Sequence, residues 1–257
     1  MYCKTLPYLY RLIYKCLMLN KLHLLHRQMN SFCMEKLRTT LLNPLSGLKS
    51  REFKDVENEF SKIAKSLFCN YCIKTDTKIF RFAEIEFYYY KKDLWDQEWN
   101  RVTYPRNKDA GELFFHYSGV DICFQTHLDD KGGYLEFGGI LIRSLIELDD
   151  NGALQHLHAG PQYCANVMLN SCNCKLPQLD VVDEINCEMK SAVRFGIEKN
   201  KREHEEKDEF KLCFYIDQFN SSELNWKEAS KRNEWDIKEG RFKFVKRNYA
   251  RERFNMR

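Results

Sequence analysis

Apolar residues recur at helical spacing in one early stretch and at strand spacing through most of the chain beyond it. Phe53, Val56, Phe60, Ile63, Ala64 and Leu67 fall on one helical stripe, with Ser50 placed to cap it, which predicts a helix over 52–67. Phe68 to Ile73 is a short apolar run, Lys74 to Thr77 is turn-forming, and Ile79 to Tyr90 is a long second run, so the two runs predict a hairpin. Phe114 to Phe124 and Gly138 to Leu148 read as two further strands, rich in aromatic and β-branched residues, with a turn between them at Asp129 to Gly133. Ala159-Gly160-Pro161 breaks the chain before a helix over 163–169, and 193–197 and 211–216 read as closing strands. Strands interspersed with few helices predict an α+β fold, a single mixed domain on a mainly antiparallel sheet.

The ends differ from this middle. No acidic residue precedes Glu35, while Lys4, Arg11, Lys15, Lys21 and Arg27 interrupt leucines and tyrosines. Each central Lys or Arg costs roughly 2.5 to 3.5 kcal/mol in a bilayer, so no membrane span is expected. Residues 1–33 are expected to be a poorly packed extension, 34–220 the domain, and 221–257 a basic, aromatic tail containing Trp226 and Trp235. The run Glu198 to Glu209 is dense in both charges without apolar period and predicts a solvated loop or hairpin tip.

Composition changes this picture little. The 257 residues, 44% hydrophobic and 14% aromatic, suffice for a packed core, and a net charge of +4 falls short of a strongly basic nucleic-acid footprint. The 11 cysteines are odd in number and scattered, and no secretory leader is visible, which points to a reducing intracellular compartment, cytoplasm or nucleus. Cys69, Cys72, Cys172 and Cys174 offer four thiolates to a zinc ion, yet Cys-x-Cys is not the usual second knuckle; buried free thiols are the simpler account, and no cofactor is expected.

Candidate chemistry concentrates between Arg81 and Leu145. In a strand, Glu84, Glu86, Tyr88 and Tyr90 share one face, and Ala83, Ile85, Phe87 and Tyr89 share the other, which is apolar enough for the core. The first set fits plain solvent exposure. It also fits a carboxylate beside aromatic planes, a way to hold a flat heterocycle next to an activated water.

The order of motifs resembles the alkylpurine (methylpurine) DNA glycosylases. The helix, the FCNYCIK hairpin, AEIEFYYY, an acid at Asp93, PRN at 105–107, a Gly-led aromatic strand, GGILIRSL and a Gly-Pro before a helix follow that family's order from about Phe53 to Tyr215. The resemblance implies a curved sheet or barrel flanked by helices and a metal-independent monomer acting on DNA. Glu86 matches the carboxylate that orients and deprotonates the attacking water, Arg143 the arginine holding that water, and Tyr88 the aromatic that stacks on an extruded base. An N-alkylated purine is already a good leaving group, so a positioned water and a carboxylate facing an oxocarbenium-like charge suffice.

The chain departs from the family in a TYPRN turn at 103–107 where the family has TPRN, and at three single positions. Gln97 stands where the pocket histidine falls, His116 where a second stacking tyrosine falls, and Ser118 where a tyrosine wedges into the duplex; Tyr117 supplies a wedge only if the register differs. Arg106 and Lys108 are candidate phosphate contacts. Arg143 also fits a buried ion pair with Glu86 that only joins two strands, and His156 and His158 fit loop or packing roles. The leading expectation is a DNA glycosylase-like hydrolase of base-excision repair for a damaged or alkylated purine. The alternatives are a non-catalytic binder of nucleotides or single-stranded nucleic acid using the same pocket, and a structural protein whose own side chains fill the site.

Overall fold

The computed structural model describes residues 28–46, 53–92, 103–152, 154–192, 194, 211–218, 235–238 and 241–244. Helix α1 covers 28–42, and its Leu37 and Leu41, with Leu45 just beyond, are buried in the core. The domain's packing thus begins with a helix that starts inside the segment expected to be an extension. Helix α2, Phe53–Asn70, buries Val56, Phe60, Ile63, Ala64 and Leu67, the predicted stripe. It runs about one turn further than its pattern predicts. Phe68 continues the apolar stripe one turn past Ala64 and is fully buried there, so Phe68 and Cys69 are helical rather than extended. Ser50 lies outside the described residues.

Strands β1 (Tyr71–Lys74) and β2 (Ile79–Lys91) form the expected antiparallel hairpin, with Cys72 opposite Arg81. The expected strand over 114–124 is instead two, β3 (Leu113–His116) and β4 (Gly119–Cys123), folded back through a turn at Tyr117 and Ser118. The reversal is steric as well as local. At Gly119, which has φ 157°, a Cβ would come within 2.8 Å of Pro161 Cβ, so only glycine lets the hairpin end lie against the start of the next helix. After β5 (His127–Leu128), the predicted turn closes through Asp129, whose side-chain oxygen accepts amide bonds from Lys131 and Gly133. Strand β6, Tyr134–Leu148, pairs with β4, β5 and β2.

Strand β7 (Leu154–Ala159) precedes α3 (Pro161–Asn170), which starts at the predicted break with Gly160 at φ 99° and proline in the first turn. β8 (Gln178–Val181), β9 (Glu188–Ala192) and β10 (Cys213–Gln218) complete the sheet. Of the first expected closing strand, 193–197, all but Arg194 lies outside the described residues, and β7 and β8 have no counterpart among the predicted elements. In the tail, β11 (Trp235–Lys238) and β12 (Arg241–Phe244) form a separate hairpin. The charged run 198–209 and Trp226 lie outside the described residues.

The result is an α+β fold on a curved antiparallel half-barrel. β2 and β6 pair along nearly their whole length and form the spine. Toward one end the order is β3-β4-β6-β2-β10-β9, and toward the other β7-β6-β2-β1-β8. The core lies on the face of Ala83, Ile85, Phe87 and Tyr89, all buried as the alternation predicts. Phe60 of α2 stacks on Phe87 at 4.6 Å, and Tyr89 meets Phe124 edge-on at 5.2 Å. The second face of the spine is the functionally informative one.

Candidate functional site

Alternation puts Glu84, Glu86 and Tyr88 of β2 on the face away from the core, and simple exposure would result if nothing covered them. Both glutamates are instead buried, at 1% and 0% exposure. The physical reason is the second layer. α3 packs against β4, β6 and β7, with Cys164, Ala165 and Met168 turned inward and Pro161 against Gly119. Its start is tied to the spine by a bond from the Gly160 amide to the Arg143 carbonyl at 2.8 Å.

Register then decides what meets. Glu86 lies opposite Leu141 on β6, so Arg143 sits two residues along on the same face as Glu84 and Glu86. Arg143 Nη1 donates to Glu86 Oε2 at 2.8 Å, and Arg143 Nε lies 3.6 Å from Glu84 Oε1. Tyr88 Oη donates to the same Glu86 oxygen at 2.8 Å. Ser144 Oγ donates to Glu84 Oε2 at 3.1 Å, and the Cys213 thiol faces Glu84 Oε1 at 3.4 Å. Burial, and then the neighbouring Glu86 charge, push the Tyr88 phenol well above its ordinary range, so it stays protonated and donating. The predicted trio of Glu86, Arg143 and Tyr88 is thus brought together, in direct contact.

The sequence pattern missed a fourth member. Arg194, 3% exposed, donates to the Phe87 carbonyl at 3.1 Å and lies 5.0 Å over the Tyr88 ring. With Arg194 the buried set holds two carboxylates and two guanidiniums. The signal was present: an arginine inside the apolar run Ala192-Val193-Arg194-Phe195, the same pattern that singled out Arg143 in GGILIRSL.

A second polar cluster lies on the same face two strands away. Asp121 of β4 is opposite Leu141, which is opposite Glu86, so Asp121, Leu141 and Glu86 form one row across three strands. Arg106 is 3% exposed and grips Asp121 Oδ2 with Nε at 2.9 Å and Nη2 at 2.8 Å. It also donates to the Tyr104 carbonyl at 2.7 Å and lies 4.4 Å over the Tyr104 ring. Arg106 therefore anchors Asp121 beneath the surface, a correction to its expected role as a phosphate contact. It reaches this position because Gly139 has no side chain: a Cβ there would come 2.6 Å from Arg106 Nε.

His116 completes this cluster. Its Nδ1 shares a 3.0 Å hydrogen bond with Ser118 Oγ, and its ring stacks on Phe114 at 5.9 Å. Its Nε2 lies 3.3 Å from Asp121 Oδ2. That is ion-pair distance but off the hydrogen-bond line, so Nε2 is left buried without a hydrogen-bond partner. Between the two clusters Leu141 is half-buried, as is Tyr88.

The remaining candidates lie apart. Tyr117 is 92% exposed at the hairpin tip, and Lys108 is exposed, 4.0 Å from Glu112. Gln97, Trp95 and Asp93 fall outside the described residues. His158 is a packing residue on a strand, 2.9 Å from Glu147. Among the described residues, Cys69, Cys72, Cys172 and Cys174, the four thiols weighed for a zinc site, do not form a group close enough to hold an ion. Cys69 faces Cys187 at 3.5 Å, and burial first, then Cys69, push the Cys187 thiol up to about 12. Among the described residues, the group close enough to hold an ion is Glu84, Glu86 and Cys213, and Arg143 already supplies the positive charge there.

No family model matches this chain, and neither do curated proteins or solved structures. Among the described residues no helix is long and apolar enough to cross a membrane.

Proposed function

We propose that the protein hydrolyses the N-glycosidic bond of a modified purine in nucleic acid, with Glu86 taking a proton from the attacking water. The observation that carries this reading is the convergence of Glu86, Arg143 and Tyr88 around one carboxylate oxygen, from strands joined by register alone. Arg143 and Tyr88 hold that oxygen in place and keep the carboxylate oriented. The aromatic surfaces offered to a flat base on this face are Tyr88 and, beyond half-buried Leu141, the His116 and Phe114 rings. No step needs a metal: an oxocarbenium-like sugar forms beside a buried carboxylate, and water closes on it.

The test is base release from oligonucleotides carrying hypoxanthine or alkylated purines, in single strands and duplexes. Glu86→Gln keeps the shape and one acceptor for Arg143 and Tyr88, and is expected to stay folded while losing base release by about 100-fold to 10,000-fold. Release unchanged in that variant removes Glu86 from the role. Because Ser118 cannot fill the gap left by a flipped nucleotide, single strands are expected to be the better substrate.

One observation favours a second reading. The 2.8 Å contact between Arg143 and Glu86 is direct, as in an ion pair that joins two strands. On that reading the same face binds a nucleotide or a single strand without cleaving it, and Glu86→Gln alters stability but no reaction. Binding of modified oligonucleotides with no base release in any strand form distinguishes it.

A further inference from the structure

A separate cavity lies on the side of the sheet away from Glu86. Side chains alternate along β3, so Phe114 and His116 face the site while Leu113 and Phe115 pack on the core side. β3 and β8 are the outer strands of the path β3-β4-β6-β2-β1-β8, and the curvature of the sheet brings both to the walls of one hollow of about 370 Å³. Leu113 and Phe115 of β3, Leu179 of β8 and Met34 of α1 line it. All four are partly buried against the core, so this part of the lining is apolar.

The charged part of the lining is mostly of one sign. Arg38, one helical turn beyond Met34 on α1, is exposed and has no acidic partner among the described residues. Its stem passes Gly111, where φ is 84° and a Cβ would stand 3.4 Å from Arg38 Cγ, so glycine leaves the arginine its room. Lys108 lies 4.0 Å from Glu112, whose Oε2 also accepts the Asp109 amide at 3.1 Å. Two cations thus stand with one carboxylate. Leu176 completes the lining and is 72% exposed. Its loop is held: Asp76 Oδ2 accepts the amides of Asn173, Cys174 and Lys175 at 2.7, 2.7 and 2.9 Å. A leucine fixed in water beside an apolar hollow is surface that an occupant can cover.

We infer that this hollow binds a small organic acid, one carboxylate on a compact apolar body. The inference stands apart from the N-glycosidase reading. A hollow of this size falls in the range of small-molecule sites and takes roughly ten non-hydrogen atoms, at about the 30 Å³ that a water occupies in the liquid. The apolar body covers Leu113, Phe115, Leu179 and Leu176. The carboxylate meets Arg38, whose parallel N–H groups match its two oxygens. Because Glu112 offsets one of the two cations, a single positive charge is left, which suits a monoanion better than a doubly charged phosphate ester.

The test is calorimetric titration of the full chain with octanoate, 1-octanol and octyl phosphate, which share one apolar body. Octanoate is expected to bind at one site per chain with a Kd of about 1 mM or tighter. Octanol is expected to bind at least about tenfold more weakly, and octyl phosphate no more tightly than octanoate. Arg38→Gln is expected to weaken octanoate at least about tenfold while leaving octanol unchanged, and Leu176→Asp to weaken both. Both positions are exposed, so both variants are expected to melt as the native chain does, and the three-ligand comparison needs no variant. Equal binding of octanoate and octanol, or octanoate affinity unmoved by Arg38→Gln, means that the hollow reads no charge and overturns the inference. Tighter binding of octyl phosphate, or no saturable binding of octanoate, overturns it as well. Base release and its loss in Glu86→Gln are unaffected by any of these outcomes.

Discussion

An arginine inside an apolar run occurs at Arg143 and at Arg194, and in both places it is buried against the two-glutamate face of β2. Burying a cation is tolerable only with partners in place: for Arg143 these are Glu84 and Glu86, and for Arg194 they include the Phe87 carbonyl and the Tyr88 ring. Arg143→Leu leaves Glu84 and Glu86 side by side without their cation and is expected to cost about 3 to 5 kcal/mol in urea unfolding. Glu86→Gln is expected to cost less, since the amide oxygen still accepts from Tyr88 and Arg143 retains Glu84. A loss for Arg143→Leu no larger than for Glu86→Gln would mean that Arg143 is not neutralising both carboxylates. The cysteines give a second expectation at this scale. Burial, the largest cause in each case, pushes the Cys72 and Cys123 thiols up to about 12, while Cys174 is exposed. Thiolate is the reactive form, so iodoacetamide at neutral pH is expected to modify Cys174 well before Cys72 or Cys123, read by peptide mass.

Among the elements, the β2–β6 pair sets everything else, and two adjacent glycines show how tightly. A Cβ on Gly138 would overlap the Tyr88 carbonyl oxygen, against backbone that cannot move without opening the pair. On the opposite face, a Cβ on Gly139 would meet the Arg106 side chain, which can be displaced from Asp121. Gly138→Ala is therefore expected to destabilise the fold by more than the roughly 1 to 3 kcal/mol typical of overpacking, and Gly139→Ala by an amount within it. Denaturant midpoints of the two variants check the order. Much of this scale was legible beforehand: the α2 stripe, the β1–β2 hairpin and the turn at Asp129 are all written in local spacing. The break at Tyr117 and Ser118 was not, because a hairpin inside a continuous aromatic run is enforced by Pro161 packing against Gly119, a residue from another element.

Over the whole molecule, acid sensitivity has an identifiable source. Glu147 on β6 is partly desolvated, which alone would raise its pKa, but hydrogen bonds from His158 on β7 and Lys78 before β2 bring it to about 2 from an ordinary 4.5. A depressed carboxylate stabilises the fold fully above its unfolded value, and that contribution disappears as pH falls through the folded one. Stability is therefore expected to decline between pH 4.5 and about 2, and Glu147→Gln to flatten that decline in thermal melts. A variant with an unchanged acid limb would assign the decline to other carboxylates. The Phe60, Phe87 and Phe124 cluster fills the core face of the curved sheet, while the layer made by α3 covers the opposite, site face.

The sequence by itself determined the faces: alternation in β2 separated Ala83, Ile85, Phe87 and Tyr89 from Glu84, Glu86 and Tyr88, because side-chain direction in a strand is a local property of the backbone. The pairing of Glu86 with Arg143 came from the resemblance in motif order and not from any local spacing. Only the tertiary structure decided that the polar face is buried rather than wet, that Arg194 lies over Tyr88, and that Arg106 grips Asp121 instead of reaching the surface. Contacts between residues 57 positions apart, such as Arg143 to Glu86, depend on strand register and on which helix covers the sheet. Neither is encoded in the spacing of any one segment.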